Sequence, residues 1–316
     1  MTPPAPRVSI VLPIYNYEHY LHERMRSLLA QTFTDFELIA VDDGSTDGSR
    51  AVVERYRSDP RLRTIWFDTN GGHPYLRWND GAAEARGEYV LFAGADDSCE
   101  PTLLETLVAT LDAHPEVGLA HTRCLVIDAE GRPTGLLPRQ ERWDHDFIAD
   151  ADTEAPHLFI RNTIPNASAA LMRRSVFEAC GRFDIGLRLC ADHLLYARML
   201  RQASVAYHAA PLNHFRTHPR TLRSTESAGY LLLETYQTLA YMRGAFAIDP
   251  EVMAASFRRG AREWIRLLLR ARSVRALRTA WAVRAAARAV DPSFDPRVAR
   301  LARHDAARRL FARGEA

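Results

Sequence analysis

Two acidic doublets, Asp42-Asp43 and Asp96-Asp97, each come just after a short apolar run of the sequence, residues 36–41 and 88–93, the second after the intervening Gly94-Ala95. Runs of this length that end in turn-forming residues are typical of buried strands. Ligands of an open parallel sheet collect beyond the carboxyl ends of its strands, so carboxylates at two such ends can meet at one ligand. We therefore expect both doublets to face a common site.

Carboxylates alone would repel the diphosphate of a nucleotide. A hard divalent cation such as Mg²⁺ or Mn²⁺ removes the conflict, because it takes oxygen ligands from carboxylates and phosphates together. The doublets thus predict a site for a metal ion and a nucleotide. The alternative is that they only cap helices and occupy loops.

The composition limits the classes of protein that fit. The chain has 316 residues, of which 47% are hydrophobic, enough for one large domain with an appendage. The N-terminus lacks the apolar core of a secretory signal and no run reaches the length of a membrane span, which predicts a cytoplasmic location. The four cysteines have no metal-finger spacing, so we expect reduced thiols and no structural zinc. A net charge of only +2 and the lack of a known binding motif argue against nucleic acid as a partner.

Strand and helix patterns alternate along the first half of the chain. This order predicts an α/β fold with a parallel sheet and right-handed crossovers. Predicted strands cover residues 8–13, 36–41, 62–67, 88–93 and 118–128, and predicted helices cover 18–30, 46–56, 78–85, 101–113 and 192–200. Residues 139–165 show little periodicity and predict an irregular segment beside a substrate pocket, whereas residues 213–218 predict an edge strand.

Several motifs in their expected order resemble those of the inverting glycosyltransferases of family 2. Residues 13–16, Pro-Ile-Tyr-Asn, resemble the opening signature of the family, and residues 41–47 resemble its second signature. Residues 95–97 fall where the family carries its metal-binding acidic motif. The resemblance covers residues 7–222. It implies the GT-A fold, a Rossmann-like and mostly parallel central sheet flanked by helices, as a catalytic domain over residues 1–223.

The resemblance also implies roles for individual residues. Asp97, helped by Asp96, would bind Mn²⁺ or Mg²⁺, and His218 in the late segment 215–218 would be a further ligand. Tyr15 offers a ring on which a base can stack, and Asp43 can accept a hydrogen bond from the imide N–H of uracil, which favours a UDP-sugar. The residues expected to bind the nucleotide donor are Pro13, Tyr15, Asp42, Asp43, Arg77 and Asp96.

Asp192 falls at the position of the family's catalytic base. In that role it accepts the proton of the acceptor hydroxyl while the oxygen attacks the anomeric carbon opposite the leaving group, and one such displacement inverts the configuration. The other interpretation of Asp192 is an acidic residue that stabilises the start of a helix.

Three departures from the family pattern keep a second class of function open. Gly94 stands where the family usually has Asp, Ala191 stands where Glu commonly precedes the base, and the arginine motif in residues 70–79 is interrupted by Trp78. These changes would fit a binding or scaffold protein on a degenerate GT-A fold. A nucleotidyltransferase is a further alternative, but residues 13–16 are not the glycine-rich phosphate loop that it normally has.

The leading hypothesis is an inverting, metal-dependent transferase that moves a sugar to a hydroxyl of a glycan, a lipid-linked or another acceptor, in cell-envelope or polysaccharide biosynthesis. Residues 224–316 predict a helical appendage, with helices over 230–246 and 252–269 and many arginines between Arg258 and Arg288. Contact with an anionic membrane at the inner face of the cell membrane, packing on the catalytic domain and formation of a homodimer are all open for it.

Overall fold

The structure, a computed structural model, describes residues 5–138, 141–219 and 228–311. The predicted boundary between residues 223 and 224 lies outside these ranges. The strands are β1 Val8–Ile14, β2 Phe36–Asp43, β3 Leu62–Phe67, β4 Tyr89–Phe92, β5 Ser98–Cys99, β6 Val117–Ile127, β7 Pro133–Leu137, β8 Phe147–Ala149, β9 Ala170–Arg173 and β10 Ser204–Arg216. The helices are α1 Glu18–Leu29, α2 Ser49–Glu54, α3 Pro74–Ala83, α4 Leu103–Ala113, α5 Ala151–Ile160, α6 Arg174–Ala179, α7 Ala191–Leu200, α8 Ala228–Ala245, α9 Pro250–Arg270, α10 Val274–Val290 and α11 Phe294–Phe311.

The strands form one sheet in the order β3-β2-β1-β4-β9-β6-β10-β5, with β7 beside β6 and β8 beside β10. The strands β3, β2, β1 and β4 are parallel. Strand β9 is antiparallel to both of its neighbours, and β10 is parallel to β6. The predicted α/β fold is confirmed, and the sheet is parallel in the half that carries both acidic doublets and mixed in the other half.

The core explains why these apolar runs become strands. All eight residues of β2 are buried, as expected of a central strand covered by helices on both faces. Helix α1 buries Leu21, Met25 and Leu28, which are spaced at three and four residues and join the core cluster of β1 and β2. The packing of α1 on β1 and β2 thus holds the ends of these strands, and the loops that follow them, in place.

Three predicted elements differ from the structure. Helix α3 starts at Pro74 rather than at Trp78, because proline is well suited to the first turn, where its missing N–H needs no partner. The segment 139–165 is not irregular throughout, since it contains β8 and α5. Residues 213–216 are not an edge strand, because the two-residue strand β5 pairs with Asn213 and His214. A strand that short leaves no periodic signal in the sequence.

The chain divides into two compact units. The first carries the sheet, runs to Glu154 and resumes over Thr163–Pro219. The second contains Ala155–Asn162 and the helices from α8 onward.

Aromatic packing holds the second unit together. The ring of Tyr236 in α8 stacks on Phe257 in α9 with centroids 6.4 Å apart, and Phe294 meets it edge-on at 6.0 Å. Trp264 donates its indole N–H to the carbonyl of Ala280 at 2.6 Å, which joins α9 to α10. Within the described ranges, no helix combines the length and the apolar character that crossing a bilayer requires.

Candidate functional site

The loops after β1 and β2 are bound to each other at the carboxyl edge of the sheet. Ile14 lies opposite Asp42 in the strand register, so the residues that follow the two strands emerge side by side. The side-chain oxygen of Asn16, a residue with a φ of 59°, accepts a hydrogen bond from the backbone N–H of Thr46 at 2.8 Å. The N–H of Asn16 donates in turn to the Ser45 hydroxyl at 3.0 Å. These bonds fix the two signature segments as one surface.

Asp42 is a buried residue that holds the segment after β2 in place. Its buried carboxylate accepts hydrogen bonds at Oδ1 from the backbone N–H of Ser45 at 3.1 Å and from Nε of Arg50 at 2.6 Å. Its Oδ2 is buried and has no hydrogen-bond partner within the described ranges. The contacts of Asp42 are therefore with the turn that follows β2 and with α2, and contact of Asp42 with a nucleotide-sugar donor stays a prediction.

Asp43 faces a different set of donors. Its Oδ1 accepts from the backbone N–H of Gly71 at 2.8 Å and from Nε of Arg77 at 2.5 Å, whereas Oδ2 accepts no hydrogen bond from the described residues. Arg77 also pairs with Asp80 at 2.7 Å and lies over the ring of Phe67, 3.5 Å from its centroid. The sequence predicted that Arg77 faces a diphosphate, and in the structure its guanidinium is committed to two carboxylates.

Two further residues expected to bind the nucleotide sugar, Pro13 and Tyr15, lie at the end of β1. Tyr15 follows the strand directly and is 43% exposed, so its ring is accessible to a ligand. Pro13 is half-buried inside the strand, opposite Val41 of β2. The structure thus brings Pro13, Tyr15 and Asp43 to one edge, as the motif order predicted.

Asp97 is the most firmly held carboxylate of the second doublet. Its Oδ2 accepts from the Ser168 hydroxyl at 2.6 Å and from the Asn166 amide at 2.8 Å, and its Oδ1 accepts from the backbone N–H of Arg216 at 3.0 Å. Burial, followed by the neighbouring charge of Asp96, raises the pKa of Asp97 to about 6. A carboxylate with four lone-pair sites and three donors retains room for a cation.

Asp96 is the more open member of the pair. Its Oδ2 lies 3.1 Å from Nε2 of His218, and its Oδ1 accepts no hydrogen bond from the part of the chain that is described. The rings of Tyr17 and Tyr20 flank the imidazole, with centroids 6.2 and 5.0 Å from it. Asp96 therefore contacts His218 and adjoins Asp97 in the chain, and the role of the three residues as metal ligands stays a prediction.

The donor set fits a divalent cation that completes its coordination with substrate and water. Carboxylate oxygens suit Mg²⁺, and an added imidazole suits Mn²⁺ as well. Among the described residues, no three or more His, Cys, Asp or Glu side chains are grouped so that they could hold a metal ion, and this includes Asp96, Asp97 and His218 as they stand. Phosphate oxygens of a bound nucleotide would be needed to complete the shell.

Arg216 organises this end of the site and was not identified from the sequence. Besides its backbone bond to Asp97, its buried side chain donates from Nε to the carbonyl of Asp96 at 2.7 Å and from a terminal nitrogen to Glu23 at 2.6 Å. Arg216 is the last residue of β10 and lies two residues before His218, so the end of this strand is next to all three candidate ligands. Its place in the segment 215–218 was the signal that could have revealed it.

A second arginine, Arg24 of α1, is buried beneath the doublet. It has no exposed surface, and none of its three guanidinium nitrogens has a hydrogen-bond partner among the residues that the structure describes. Burial and Asp96 raise the pKa of Asp97, and the charge of Arg24 opposes that shift. An unbonded buried guanidinium is costly, so its attraction to this carboxylate is the evident compensation.

Gly94 is a site where a larger residue would not fit as the structure stands. A Cβ atom placed on it would lie 2.9 Å from Oδ2 of Asp97 and 3.2 Å from Oδ1 of Asp96. Its backbone N–H donates to the Ser168 hydroxyl at 2.8 Å. The absence of the usual Asp at this position therefore coincides with close packing of the remaining two carboxylates.

Asp192 lies in the first turn of α7, as predicted, and is buried. Its Oδ1 accepts from the backbone N–H of His193 at 2.8 Å and from the phenol of Tyr75 at 3.4 Å. Burial, together with the charge of Asp192, raises the pKa of Tyr75 well above its ordinary value, so the phenol stays protonated and donates. Tyr75 was missed by the sequence reasoning because it precedes the predicted start of its helix.

Helix α3 connects the two halves of the site. Tyr75 in its first turn contacts Asp192, and Arg77 contacts Asp43 at the donor edge. The ring of Tyr75 stacks on Phe183 at 5.2 Å, which holds the start of the helix against the segment that leads to α7. Helix α3 therefore links Asp192, the candidate catalytic base, to Asp43, the carboxylate expected to bind the nucleobase.

Comparison with known proteins gives a consistent result. A family model described as glycosyl transferase family 2 matches residues 9–181, more than half of the chain. TarS of Staphylococcus aureus, named poly(ribitol-phosphate) beta-N-acetylglucosaminyltransferase, is 36% identical over 127 residues, which are 40% of this chain and 21% of TarS. An uncharacterized glycosyltransferase of Nostoc sp. is 38% identical over 189 residues, 59% of this chain and 57% of that protein. The matched residues thus span about a fifth of TarS and rather more than half of the Nostoc protein.

Two solved structures share the fold at low identity. A crystal structure of S. aureus TarS with UDP-GlcNAc superposes with a TM-score of 0.70 at 20% identity, over 92% of this chain and 84% of that one. The mannosyltransferase PcManGT of Pyrobaculum calidifontis, solved with GDP-Man and Mn²⁺, gives a TM-score of 0.52 at 17% identity, over 94% and 84% of the two chains. These likenesses confirm the GT-A fold.

Proposed function

This chain belongs to glycosyl transferase family 2, and we propose that it transfers a sugar from a UDP-sugar to a hydroxyl acceptor with inversion at the anomeric carbon. The observation that carries the proposal is the double attachment of α3, through Tyr75 to Asp192 and through Arg77 to Asp43. Helix α3 then sets the position of the catalytic base, Asp192, relative to the nucleotide pocket. Proximity of this kind is a large part of the catalysis of a displacement reaction.

The donor binds at the carboxyl ends of β1 and β2. The nucleobase stacks on the exposed ring of Tyr15, and Oδ2 of Asp43 accepts a hydrogen bond from the imide N–H of uracil. Oδ1 of Asp43 is already bonded to Gly71 and Arg77, which fixes the direction of the free oxygen. A guanine base presents its own imide N–H differently, so discrimination between UDP and GDP rests on this pocket.

The diphosphate lies at the second doublet. Asp96, Asp97 and His218 would hold Mn²⁺ or Mg²⁺ together with the phosphates, and the cation would supply positive charge against the departing nucleoside diphosphate. The hydrogen bonds from Ser168, Asn166 and Arg216 keep the Asp97 carboxylate in one orientation.

Asp192 is the general base of the proposed reaction. It takes the proton of the acceptor hydroxyl as the oxygen forms its bond to the anomeric carbon and the bond to the diphosphate breaks. The donors at its Oδ1, the His193 N–H and the Tyr75 phenol, orient the carboxylate for this transfer.

TarS, to which the chain is similar, is named for N-acetylglucosamine transfer to poly(ribitol-phosphate) and was solved with UDP-GlcNAc. We therefore propose UDP-GlcNAc as the first donor to test, a polyhydroxylated cell-envelope polymer or lipid-linked glycan as the acceptor, and a cytoplasmic site of action. Catalysis is assigned to residues 1–223 and a supporting role to residues 224–316.

Calorimetric titration with UDP, UDP-GlcNAc, GDP and GDP-mannose, each with and without Mn²⁺, tests the proposal. We expect uridine nucleotides to bind and Mn²⁺ to tighten that binding. Asp192→Asn should bind UDP-GlcNAc like the unmodified protein and yield no transfer to hydroxyl acceptors. Lack of binding to all four ligands would instead favour the degenerate scaffold, and near-normal transfer by Asp192→Asn would remove the base assignment.

A further inference from the structure

The helices α9 and α10 of the second unit expose several large apolar side chains. Val274, Leu277 and Trp281 of α10 are 68%, 41% and 53% exposed, and Leu269 at the end of α9 is 75% exposed. The spacing of three and four residues places the α10 members on one side of the helix. We call these four residues the apolar stripe.

The opposite side of α10 explains why the stripe is left outside. Ala280, Val283, Ala287 and Val290 recur at three- and four-residue spacing and are buried within the second unit. That face completes the helix packing, so the stripe has no role in the core. An exposed apolar group of this kind, when rimmed by polar residues, marks a contact surface.

All charged residues between Trp264 and Val290 are arginines. From Trp264 to Val290 the sequence contains seven arginines, at positions 266, 270, 272, 275, 278, 284 and 288, and no Asp or Glu. Of these, Arg266 pairs with Glu263, and Arg284 and Arg288 pair with Asp295. The four nearest the stripe, Arg270, Arg272, Arg275 and Arg278, are exposed and form no ion pair with the described residues.

We propose that this face of α9 and α10 docks on an anionic lipid surface. The apolar stripe enters the boundary between head groups and acyl chains, and the unpaired arginines bind lipid phosphates. Trp281 suits this depth, because indole rings prefer the interface of a bilayer. The guanidinium of Arg284 lies 5.1 Å from the Trp281 ring centroid, so apolar and basic groups share one surface.

Charge complementarity favours a bilayer over a second copy of the chain. A symmetric dimer would place the same patch against itself, and the unpaired arginines of both copies would meet without an acidic residue to neutralise them. Nucleic acid would satisfy the arginines but leave the apolar stripe in contact with charged phosphates. Anionic lipid satisfies both chemistries.

Sedimentation of the full chain with vesicles of phosphatidylcholine, with and without phosphatidylglycerol, tests the proposal. We expect binding only to the vesicles that contain phosphatidylglycerol, and weaker binding as salt is raised. The double variant Arg275→Gln/Arg278→Gln should bind more than tenfold more weakly, from about fivefold for each arginine. Trp281→Ser should weaken binding at high salt as well, because its contribution is apolar.

A matched control removes two charges elsewhere. Arg57→Gln/Arg132→Gln changes exposed arginines of the first unit by the same net charge and should bind vesicles like the unmodified chain. Circular dichroism and UDP titration establish that each variant is folded, so a result on vesicles is independent of the transferase assignment. Equal effects of the two double variants, no binding to anionic vesicles, duplex DNA binding lost in Arg275→Gln/Arg278→Gln, or a dimer that Trp281→Ser dissociates would each overturn the proposal.

Discussion

Nε2 of His218 lies 3.1 Å from Oδ2 of Asp96, although 122 residues separate the two in the chain. The imidazole is buried beside Tyr20, which limits its freedom to turn away. A cation at Asp96 would therefore meet the histidine directly.

His218→Ala should lower the affinity for UDP in the presence of Mn²⁺ by about tenfold or more, as loss of a metal ligand or of its close partner does. Binding of UDP without metal should change little. His214→Ala is the matched control, because His214 lies only four residues before His218, in β10, but pairs with Glu100 and Ser98. Equal effects of the two variants in calorimetry would contradict a role for His218 at the metal.

The raised pKa of Asp97, about 6 against an ordinary 3.8, makes a prediction about stability. The folded state favours the protonated acid, so this group stabilises the protein most below pH 4, and the contribution is lost as pH rises through about 6. The loss is up to about 3 kcal/mol, from about 1.4 kcal/mol for each pKa unit. Urea unfolding across this range should show the fall in the unmodified protein without metal and not in Asp97→Asn. Added Mn²⁺ should restore stability at neutral pH, and a flat profile in the unmodified protein would refute the expectation.

Tyr75→Phe removes the hydroxyl that donates to Asp192 and keeps the ring that packs on Phe183. We expect kcat to fall about tenfold, the lower end for loss of a group that orients an acid or base, while KM for the donor stays the same. Tyr89→Phe is a control that removes a hydroxyl bonded to Asp112. Tyr89 is the first residue of β4, at the end of the strand away from the acidic doublet. A change in donor KM without a change in kcat would show that Tyr75 acts on the nucleotide pocket instead.

Arg24→Met replaces a buried, unbonded guanidinium with an apolar chain of similar length. Replacement of a buried charge by a well-packed apolar residue is often neutral or stabilising, so the melting temperature should hold or rise. At pH 8, where Asp97 is ionised in either protein, Mn²⁺ should bind more tightly because one nearby positive charge is gone. Arg24→Lys keeps the charge and should not gain affinity. Loss of the fold in Arg24→Met, or identical Mn²⁺ affinity in calorimetry, would contradict this account.

Gly94→Ala introduces a Cβ atom 2.9 Å from Oδ2 of Asp97, closer than such atoms normally approach. The carboxylate must shift away from Ser168 and Asn166, and we expect Mn²⁺-dependent UDP binding to weaken by about tenfold, as misplacement of a metal ligand does. Gly244→Ala in α8 is the control, since a Cβ there meets no atom within 4 Å and should stabilise the helix by up to about 1 kcal/mol. Unchanged metal affinity in Gly94→Ala would show that the doublet has more room than the structure indicates.

The sequence by itself was sufficient for the fold, and it named the candidate residues of the site. Strand β3 was predicted with its observed bounds, and β1, β2 and α1 within two residues at either end, because apolar periodicity and turn residues act locally. The doublets at the ends of β2 and β4 could be assigned to one edge of the sheet, since parallel strands share the direction of their carboxyl ends. Helix α5, which has Pro156 inside it, was missed because its apolar residues are not arranged along one face.

Only the tertiary structure decided what surrounds each carboxylate. Asp97 takes its donors from residues 69, 71 and 119 positions away, and Tyr75 reaches Asp192 across 117 positions. No local pattern encodes such pairs, because a hydrogen bond between distant segments depends on how the layers of the fold pack. The sequence therefore determined which groups could do the chemistry, and the packing of β9, β10 and α3 decided how those groups are held.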